Sequence, residues 1–530
     1  MAALAPRLSD ACSTRRTAVY RPRHPEATAL YQVVRDHLES FLEDGRRRTE
    51  HGFGYPGHLE KTFRRYLSCG VLSQGFARLR CKDCGHETLV AFSCKGRGLC
   101  PSCQGRRMAE TAARLTDTVL PSARYRQVVF TFPFVVRLRM ACDPKALSVV
   151  LRCCKRALFA QLRRRGRALG MKVGRPAAIV AIQVFGGALN LNVHFHVVVP
   201  DALFVIDGET LRIEHLPPPT DEDIDALLAT VRRKVTSLFE RGPLAADEVA
   251  VEEADVSALQ LAIAEAAQTP RAPRRDLLDE RPPRPLCAAE EGFSVHAATT
   301  VEADDRLGLE RLLRYILRPA FAQERLSLTD DGRVRYKLRR PWPNGATHLE
   351  LEPVAFLRRL ALLIPRPRQN MIRYQGLFAP NAKHRNQLHA LLPQRVADEL
   401  RGAETTTDEE GAEHRDASET AAPVRPSLIE AKSPYRMRWA SLLARVFALD
   451  VTACSKCGGP MVLLALLTDP GVVTKILDHL GLPSLPTQPR PRRLGQAELF
   501  ELEDREVEGA VTSSGDARAP PAVRWLCQPG

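Results

Sequence analysis

Two Cys-x-x-Cys pairs, Cys81-Lys-Asp-Cys84 and Cys100-Pro-Ser-Cys103, stand with 15 residues between them. In a tight knuckle, two thiolates spaced this way turn toward one ion, and a second knuckle closes the tetrahedral sphere. The spacing predicts one structural zinc site made of Cys81, Cys84, Cys100 and Cys103, with Cys69, Cys94 and His86 as spare ligands. Four thiolates leave no open position for a substrate. Such a site therefore folds a small module and presents Lys82, Lys95, Arg97, Arg106 and Arg107 to a partner. The other reading makes these cysteines reduced, buried residues.

Which reading applies depends on the compartment. The N-terminal stretch has no continuous apolar run of the kind a secretory leader carries, and apolar runs such as 128–136 are too short to cross a bilayer. The expected location is the cytoplasm, in association with the nucleoid and without a membrane partner. There, 14 cysteines do not form a disulfide framework. The 77 Lys and Arg exceed the 62 Asp and Glu, a formal charge of +15 that favours a polyanion, with DNA as the leading partner.

A chain of 530 residues is too long for one core. Residues 1–25 read as a tail and 26–120 as a zinc-binding, DNA-contacting domain that opens on an amphipathic helix at 26–47 and closes on a helix at 106–120. A catalytic domain spans 121–385. Within it, strands are expected at 125–136, 177–185, 189–199 and 292–301, and helices at 144–169, 220–242 and 304–317. Residues 386–435 turn to Glu, Asp, Thr, Ser and Pro and read as a disordered linker. Residues 436–482 form a C-terminal helical Cys-x-x-Cys segment, with helices at 439–449 and 471–480, and 483–530 form a tail. Cys454 and Cys457 supply only half of a tetrahedral site, and metal binding there needs ligands from another segment or subunit.

The segment Leu189-Asn-Leu-Asn-Val-His194-Phe-His196-Val-Val-Val-Pro carries the most chemistry. Alternation along a strand puts His194 and His196 on one face and Phe195 on the other. Both imidazoles then reach one divalent ion that keeps open positions, able to polarise a phosphate oxygen. The alternative is a pair of structural histidines. Tyr315 lies in Leu309-Glu-Arg-Leu-Leu-Arg-Tyr315-Ile-Leu-Arg-Pro319, among Arg311, Arg314 and Arg318. A phenol needs such positive charge, or a polarised phosphate, to act as a nucleophile. In isolation it reads equally as a packed helix tyrosine. Arg163, Arg164, Arg165 and Arg167 could track a phosphate backbone or form a plain surface run.

Taken together, several stretches resemble rolling-circle transposases of the insertion sequence ninety-one type, in particular the single-tyrosine branch related to common-region (ISCR) elements. They are Phe92-Ser-Cys94-Lys-Gly-Arg-Gly-Leu-Cys100-Pro-Ser-Cys103, the His194/His196 strand, Arg314-Tyr315-Ile-Leu-Arg-Pro319-Ala, Pro380-Asn-Ala-Lys383 and Cys454-Ser-Lys-Cys457-Gly. The resemblance implies an α+β fold of the His-hydrophobic-His (HUH) nuclease kind. That is an antiparallel sheet with flanking helices on one side, preceded by a small zinc-binding domain.

It further implies that Tyr315 attacks single-stranded DNA at an element end, giving a 5′-phosphotyrosine and a free 3′-hydroxyl. His194, His196 and, across the hairpin, Gln183 would hold Mg²⁺ or Mn²⁺, with Zn²⁺ at the cysteines. Gln183 reads equally as a hydrogen-bonded strand residue. Arg97, Arg106, Arg107, Arg311, Arg314 and Arg318 are the expected DNA contacts, and a homo-oligomer is a possible assembly. Members with two tyrosines place the other one helical turn earlier, where this chain has Arg311. One nucleophile then needs a second subunit, the free 3′-hydroxyl or a sequential cycle to finish the transfer; Tyr336 and Tyr374 are the possible substitutes. The same chemistry would suit a plasmid replication initiator or relaxase. A zinc-finger regulator would bind without cutting, and a zinc hydrolase lacks further ligands at 197–199.

Overall fold

The fold is that of a computed structural model, which describes residues 23–49, 52–208, 210–241, 244, 284–392, 453–485 and 488–491. The helix expected at 439–449, most of the linker and most of the two tails lie outside the described residues. Apart from Pro491, the described residues belong to one compact unit, Met1–Arg490.

The N-terminal part begins with helix α1 (Ala29–Arg47), which buries Leu30, Tyr31, Val33, Val34, Leu38, Phe41 and Leu42 along one stripe. Thr28 caps it, its side chain accepting from the Tyr31 N–H. Helix α2 (Gly57–Leu67) answers with Leu59, Phe63, Tyr66 and Leu67. Strands β1 (Phe76–Cys81) and β2 (Glu87–Ala91) follow as an antiparallel hairpin, and helix α3 (Pro101–Thr118) starts with Cys100 as its cap and Pro101 at the first position.

Strand β3 (Tyr125–Thr131) stops five residues before the expected end at 136. Pro133 caps a helix there, α4 (Phe134–Cys142), because proline cannot donate to a strand ladder but fits a helix start. Helix α5 (Pro144–Ala168) precedes β4 (Ala177–Phe185) and β5 (Leu191–Pro200), which pair as the expected hairpin. A second hairpin, β6 (Ala202–Asp207) with β7 (Thr210–His215), leads to α6 (Asp221–Glu240), held at its start by a reciprocal Thr220/Asp223 cap.

After the segment beyond α6 come β8 (Cys287–Glu290), β9 (Phe293–Val301) and helix α7 (Arg306–Ile316). A small antiparallel sheet, β10 (Leu326–Leu328), β11 (Val334–Lys337) and β12 (His348–Leu351), then packs with α8 (Pro353–Leu363) into the α1/α2 core. Strand β13 (Ile372–Gly376) completes the central sheet.

That sheet has the order β13-β4-β5-β3-β9-β8 and is antiparallel at every step. Helices flank both faces rather than one. On the first face Val128, Phe130, Val180, Ile182, Phe195 and Val197 join residues of α4, α5 and α6 in one core. On the second, Ile179, Ala181 and Val198 pack with α3 and α7. β4 and β5 are buried on both sides over most of their length, so a cover on one face alone would leave apolar surface wet.

A bidentate ion pair fixes one end of the sheet. Arg126 reaches both oxygens of Asp201, at 3.0 and 2.7 Å, and donates to the Ala297 carbonyl at 2.7 Å, with both charged residues buried. Arg164 and Arg165, expected as a possible DNA track, instead pair with Asp223 at the start of α6, at 3.1 and 3.7 Å.

The chain's last described elements return to its first. Strand β14 (Met461–Leu467) pairs antiparallel with β1, giving the sheet order β14-β1-β2, and helix α9 (Pro470–His479) packs Val473 and Leu477 on Phe76. The Cys454/Cys457 region is therefore part of the N-terminal module, not a separate helical segment.

Candidate active site and cysteine clusters

The strand alternation of β5 sends Phe195 into the first core, where it is fully buried, and turns His194 and His196 to the second face. Their ring centroids are 4.9 Å apart. Gln183 stands directly across from His194 in the β4–β5 ladder, and Gln127 on β3 shares the face. The second face is closed by α7, whose apolar stripe of Leu309, Leu312, Leu313 and Ile316 is buried, while Tyr315 remains 46% exposed. The phenol ring meets the His196 imidazole edge-on, centroids 6.2 Å apart and planes at 88°. Arg318, just past the helix end, sets its guanidinium 4.4 Å from the centre of the Tyr315 ring. The sequence-predicted group Tyr315, His194, His196, Gln183 and Arg318 thus surrounds one place.

The hydrogen bonds define what this place could hold. The Asn192 carbonyl lies 2.8 Å from His194 Nδ1 and can only accept, so Nδ1 carries the proton and Nε2 keeps a lone pair. The Gln127 amide reaches His196 Nδ1 at 2.6 Å. With the amide nitrogen facing Nδ1, the ring's own proton sits on Nε2, where no acceptor stands. Turning the amide by 180° moves that proton to Nδ1 and frees the Nε2 lone pair, the form a cation needs. Gln183 donates from Nε2 to the Ile316 carbonyl at 2.6 Å, which leaves its buried Oε1 without a partner.

Two orphaned buried polar atoms, His196 Nε2 and Gln183 Oε1, therefore lie on one sheet face, next to a second imidazole with a free lone pair. Nitrogen and oxygen donors of this kind suit a divalent cation. Burial lowers the pKa of both histidines, helped by the nearby Arg318, and pushes His196 down to about 3 with His194 contributing. Both rings are neutral at physiological pH, as metal ligands must be.

Sequence reasoning missed Gln127 and Arg137. Gln127 gives no signal without the β3–β5 register. Arg137 lies on α4, donates to the Asn192 side chain at 2.7 Å and adds positive charge beside His194. The other expected DNA contacts are more dispersed. Arg311 is mostly exposed, 3.7 Å from Asp305, and Arg314 is held by the buried Glu310 at 2.5 Å. Arg97 donates to the backbone carbonyls of Gln369 and Arg366, tying the cysteine region to the loop before β13. Arg107 is exposed and Arg106 half-buried at the start of α3. The substitute tyrosines are elsewhere: Tyr336 is fully buried in the α1/α8 core, and Tyr374 accepts from Arg114 at 3.0 Å.

The cysteines do not form the expected foursome. Cys100 and Cys103 join Cys69 and Cys94, while Cys81 and Cys84 join Cys454 and Cys457, the ligand atoms of each group lying within 4.8 Å of one another. In the first group, Cys69 is 3.5 Å from Cys100 and 3.6 Å from Cys103, and Cys94 is 3.5 Å from Cys103. Four sulfurs at about 2.3 Å from one tetrahedral ion stand about 3.8 Å apart. The fit is close. The regrouping follows from the fold: the β1–β2 hairpin carries Cys81 and Cys84 toward β14, whereas the α3 start brings Cys100 and Cys103 against Cys69, just past the end of α2. His86 joins neither group, and its carbonyl accepts from the Cys81 N–H.

Two family models match. Residues 33–132 match a family described as "Transposase zinc-binding domain", and residues 177–387 match one described as "Putative transposase". Searches among curated proteins and among solved structures gave no match. Both matched models are of transposases, which places the chain in the class of DNA-processing enzymes. The chain belongs to the insertion sequence ninety-one transposase family. DNA binding and zinc binding follow from the two matches, and no helix among the described residues is long and apolar enough to cross a membrane.

Proposed function

We propose that the chain cuts and rejoins single-stranded DNA at the ends of an insertion sequence, with Tyr315 as nucleophile, in a rolling-circle mode of transposition. The observation that carries this reading is the stacked arrangement of Tyr315 edge-on to His196 and face-on to Arg318. It puts an accessible phenol between the His196 imidazole and the Arg318 guanidinium. In the cleavage step the phenol oxygen bonds to phosphorus, the bond from phosphorus to the 3′-oxygen breaks, and that oxygen leaves with a proton. The product is a 5′-phosphotyrosine whose ester bond conserves the energy needed for rejoining, without a nucleotide cofactor.

Mg²⁺ or Mn²⁺ held by His194, His196 and Gln183 would polarise a non-bridging phosphate oxygen. Arg318, with Arg137 also near His194, offsets charge on the phosphate. Gln127 and the Asn192 carbonyl fix the ring tautomers. Cys69, Cys94, Cys100 and Cys103 hold a structural zinc, and Arg106, Arg107 and Arg311 contact the DNA backbone. A second protomer, or a sequential cycle through the free 3′-hydroxyl, would handle the second strand.

The test mixes full-length protein with labelled single-stranded DNA from an element end, with Mg²⁺ or Mn²⁺ and with chelator. A metal-dependent, denaturation-resistant adduct absent from Tyr315→Phe and from a His194→Ala/His196→Ala variant is the expected result. DNA binding without any adduct would instead favour a non-catalytic DNA-binding regulator.

A further inference from the structure

We propose that Cys81, Cys84, Cys454 and Cys457 bind a second zinc ion, which clasps the C-terminal part of the chain to the N-terminal module. The inference does not depend on the role of Tyr315. Cys81 Sγ lies 3.5 Å from Cys457 Sγ, and Cys84 Sγ 3.6 Å from Cys454 Sγ, again near the spacing of four sulfurs about a tetrahedral ion. All four are free thiols at separations far beyond a disulfide bond, which is about 2.05 Å.

The two knuckles are near copies of each other. Gly85 N–H donates to the Cys81 carbonyl and Gly458 N–H to the Cys454 carbonyl. Cys81 N–H donates to the His86 carbonyl, and Cys454 N–H to that of Gly459. Each turn closes on a glycine with positive φ, Gly85 at 70° and Gly458 at 77°, a conformation that side-chain-bearing residues resist. In each, the first cysteine is buried and the second exposed. Backbone N–H groups of Lys456 and Gly459 point at the Cys454 and Cys457 sulfurs at 3.4 Å, and such donors favour the thiolate over the thiol. The knuckles are also joined directly, Lys82 N–H donating to the Pro460 carbonyl at 3.0 Å.

An ion would reinforce the junction that the β1–β14 ladder makes. Among the described residues, the buried apolar cluster around it is Leu79, Cys81, Val90, Cys454 and Met461, with Ala77 and Leu463 partly buried against it, a small core to hold together segments whose cysteines are 370 residues apart. Closing so long a loop costs entropy that grows only slowly with length, and a four-thiolate zinc site readily offsets it.

Zinc content of the full-length protein tests the clasp. Two zinc ions per chain are expected, falling to one in Cys454→Ser/Cys457→Ser and to one in Cys81→Ser/Cys84→Ser. Cobalt substitution should show tetrahedral all-sulfur bands of which the first double variant loses about half. A wild-type chain with a single zinc, or a Cys454→Ser/Cys457→Ser variant that keeps its full complement, would overturn the proposal. Against misfolding of the variants, a specific protease site inserted near residue 410 of the otherwise unchanged chain gives a second readout. After cutting, the C-terminal fragment should co-elute with the rest until a chelator is added, and early release without chelator counts against the clasp.

Discussion

The side-chain amide of Gln183 donates to the backbone carbonyl of Ile316 at 2.6 Å, joining the β4 strand to the helical turn that presents Tyr315. One side chain thus ties the helical turn of Tyr315 to the sheet and leaves its own buried oxygen without a hydrogen-bond partner, across the ladder from His194. Gln183→Leu removes both contributions, and residues of this kind typically change metal affinity or activity by about 10–100-fold. The expected outcome is a metal requirement for adduct formation raised at least tenfold. Gln183→Glu keeps an oxygen ligand but loses the N–H, so it should recover part of the metal affinity. Metal titrations of cleavage decide, and an unchanged titration in Gln183→Leu would remove the residue from the site.

Arg318 faces the Tyr315 ring and lies close enough to depress both histidines. Replacing it with alanine should slow single-turnover cleavage by about 10²-fold, the scale of losing one preorganised donor in an active site. Lysine should restore only part of the rate, because a point charge does not reproduce a planar guanidinium on an aromatic face. Equal rates for Arg318→Ala and wild type would show that the cation serves packing alone.

The Arg126–Asp201 pair predicts a stability effect. Arg126→Met removes the bidentate partner of the buried Asp201 and leaves it the more distant Arg124, 3.8 Å away, so it should destabilise the chain by about 2–3 kcal/mol, below the full cost of an unpaired buried charge. A double Arg126→Met/Asp201→Leu change should cost less than the single one, since no buried carboxylate is then left with one weak partner, and Arg124 keeps Glu302 at 3.3 Å. Urea denaturation followed by a probe of the central sheet measures both, and equal losses would contradict the argument.

Cys69→Ser should release one zinc, because Cys69 is within 3.6 Å of two other thiols in its cluster. His86→Ala should release none. Metal analysis of the two purified variants separates the ligand set from its neighbours, and zinc loss in His86→Ala would call for a different coordination.

These residues also show what a sequence can and cannot carry. The β5 pattern was readable because a period of two puts His194 and His196 together without knowledge of any other strand. The α7 stripe was readable for the same kind of reason, at a period of 3.6. Cysteine partnership was not: Cys-x-x-Cys spacing specifies a knuckle, but which knuckle it meets is decided by β14 pairing with β1 across the intervening chain. Gln127 was hidden because its role arises from lateral register between β3 and β5. Arg137 was hidden because the apolar run 128–136 continues through Pro133 with no break in hydrophobicity, although the proline itself marked where strand gives way to helix.

A sheet assembled from both ends of the chain has a consequence during synthesis. Cys454 emerges 370 residues after Cys84, which at about 5–20 residues per second leaves the β1–β2 hairpin waiting roughly 20–70 s for its third strand. During that time the edge of β1 is an open template for the wrong partner. Arg78 and Arg80 lie on that strand, and charged side chains are a usual guard against premature pairing. Newborn molecules therefore gain their complete N-terminal module last, and a ribosome that stops early releases a protein with its histidine sheet made and its first sheet still unfinished.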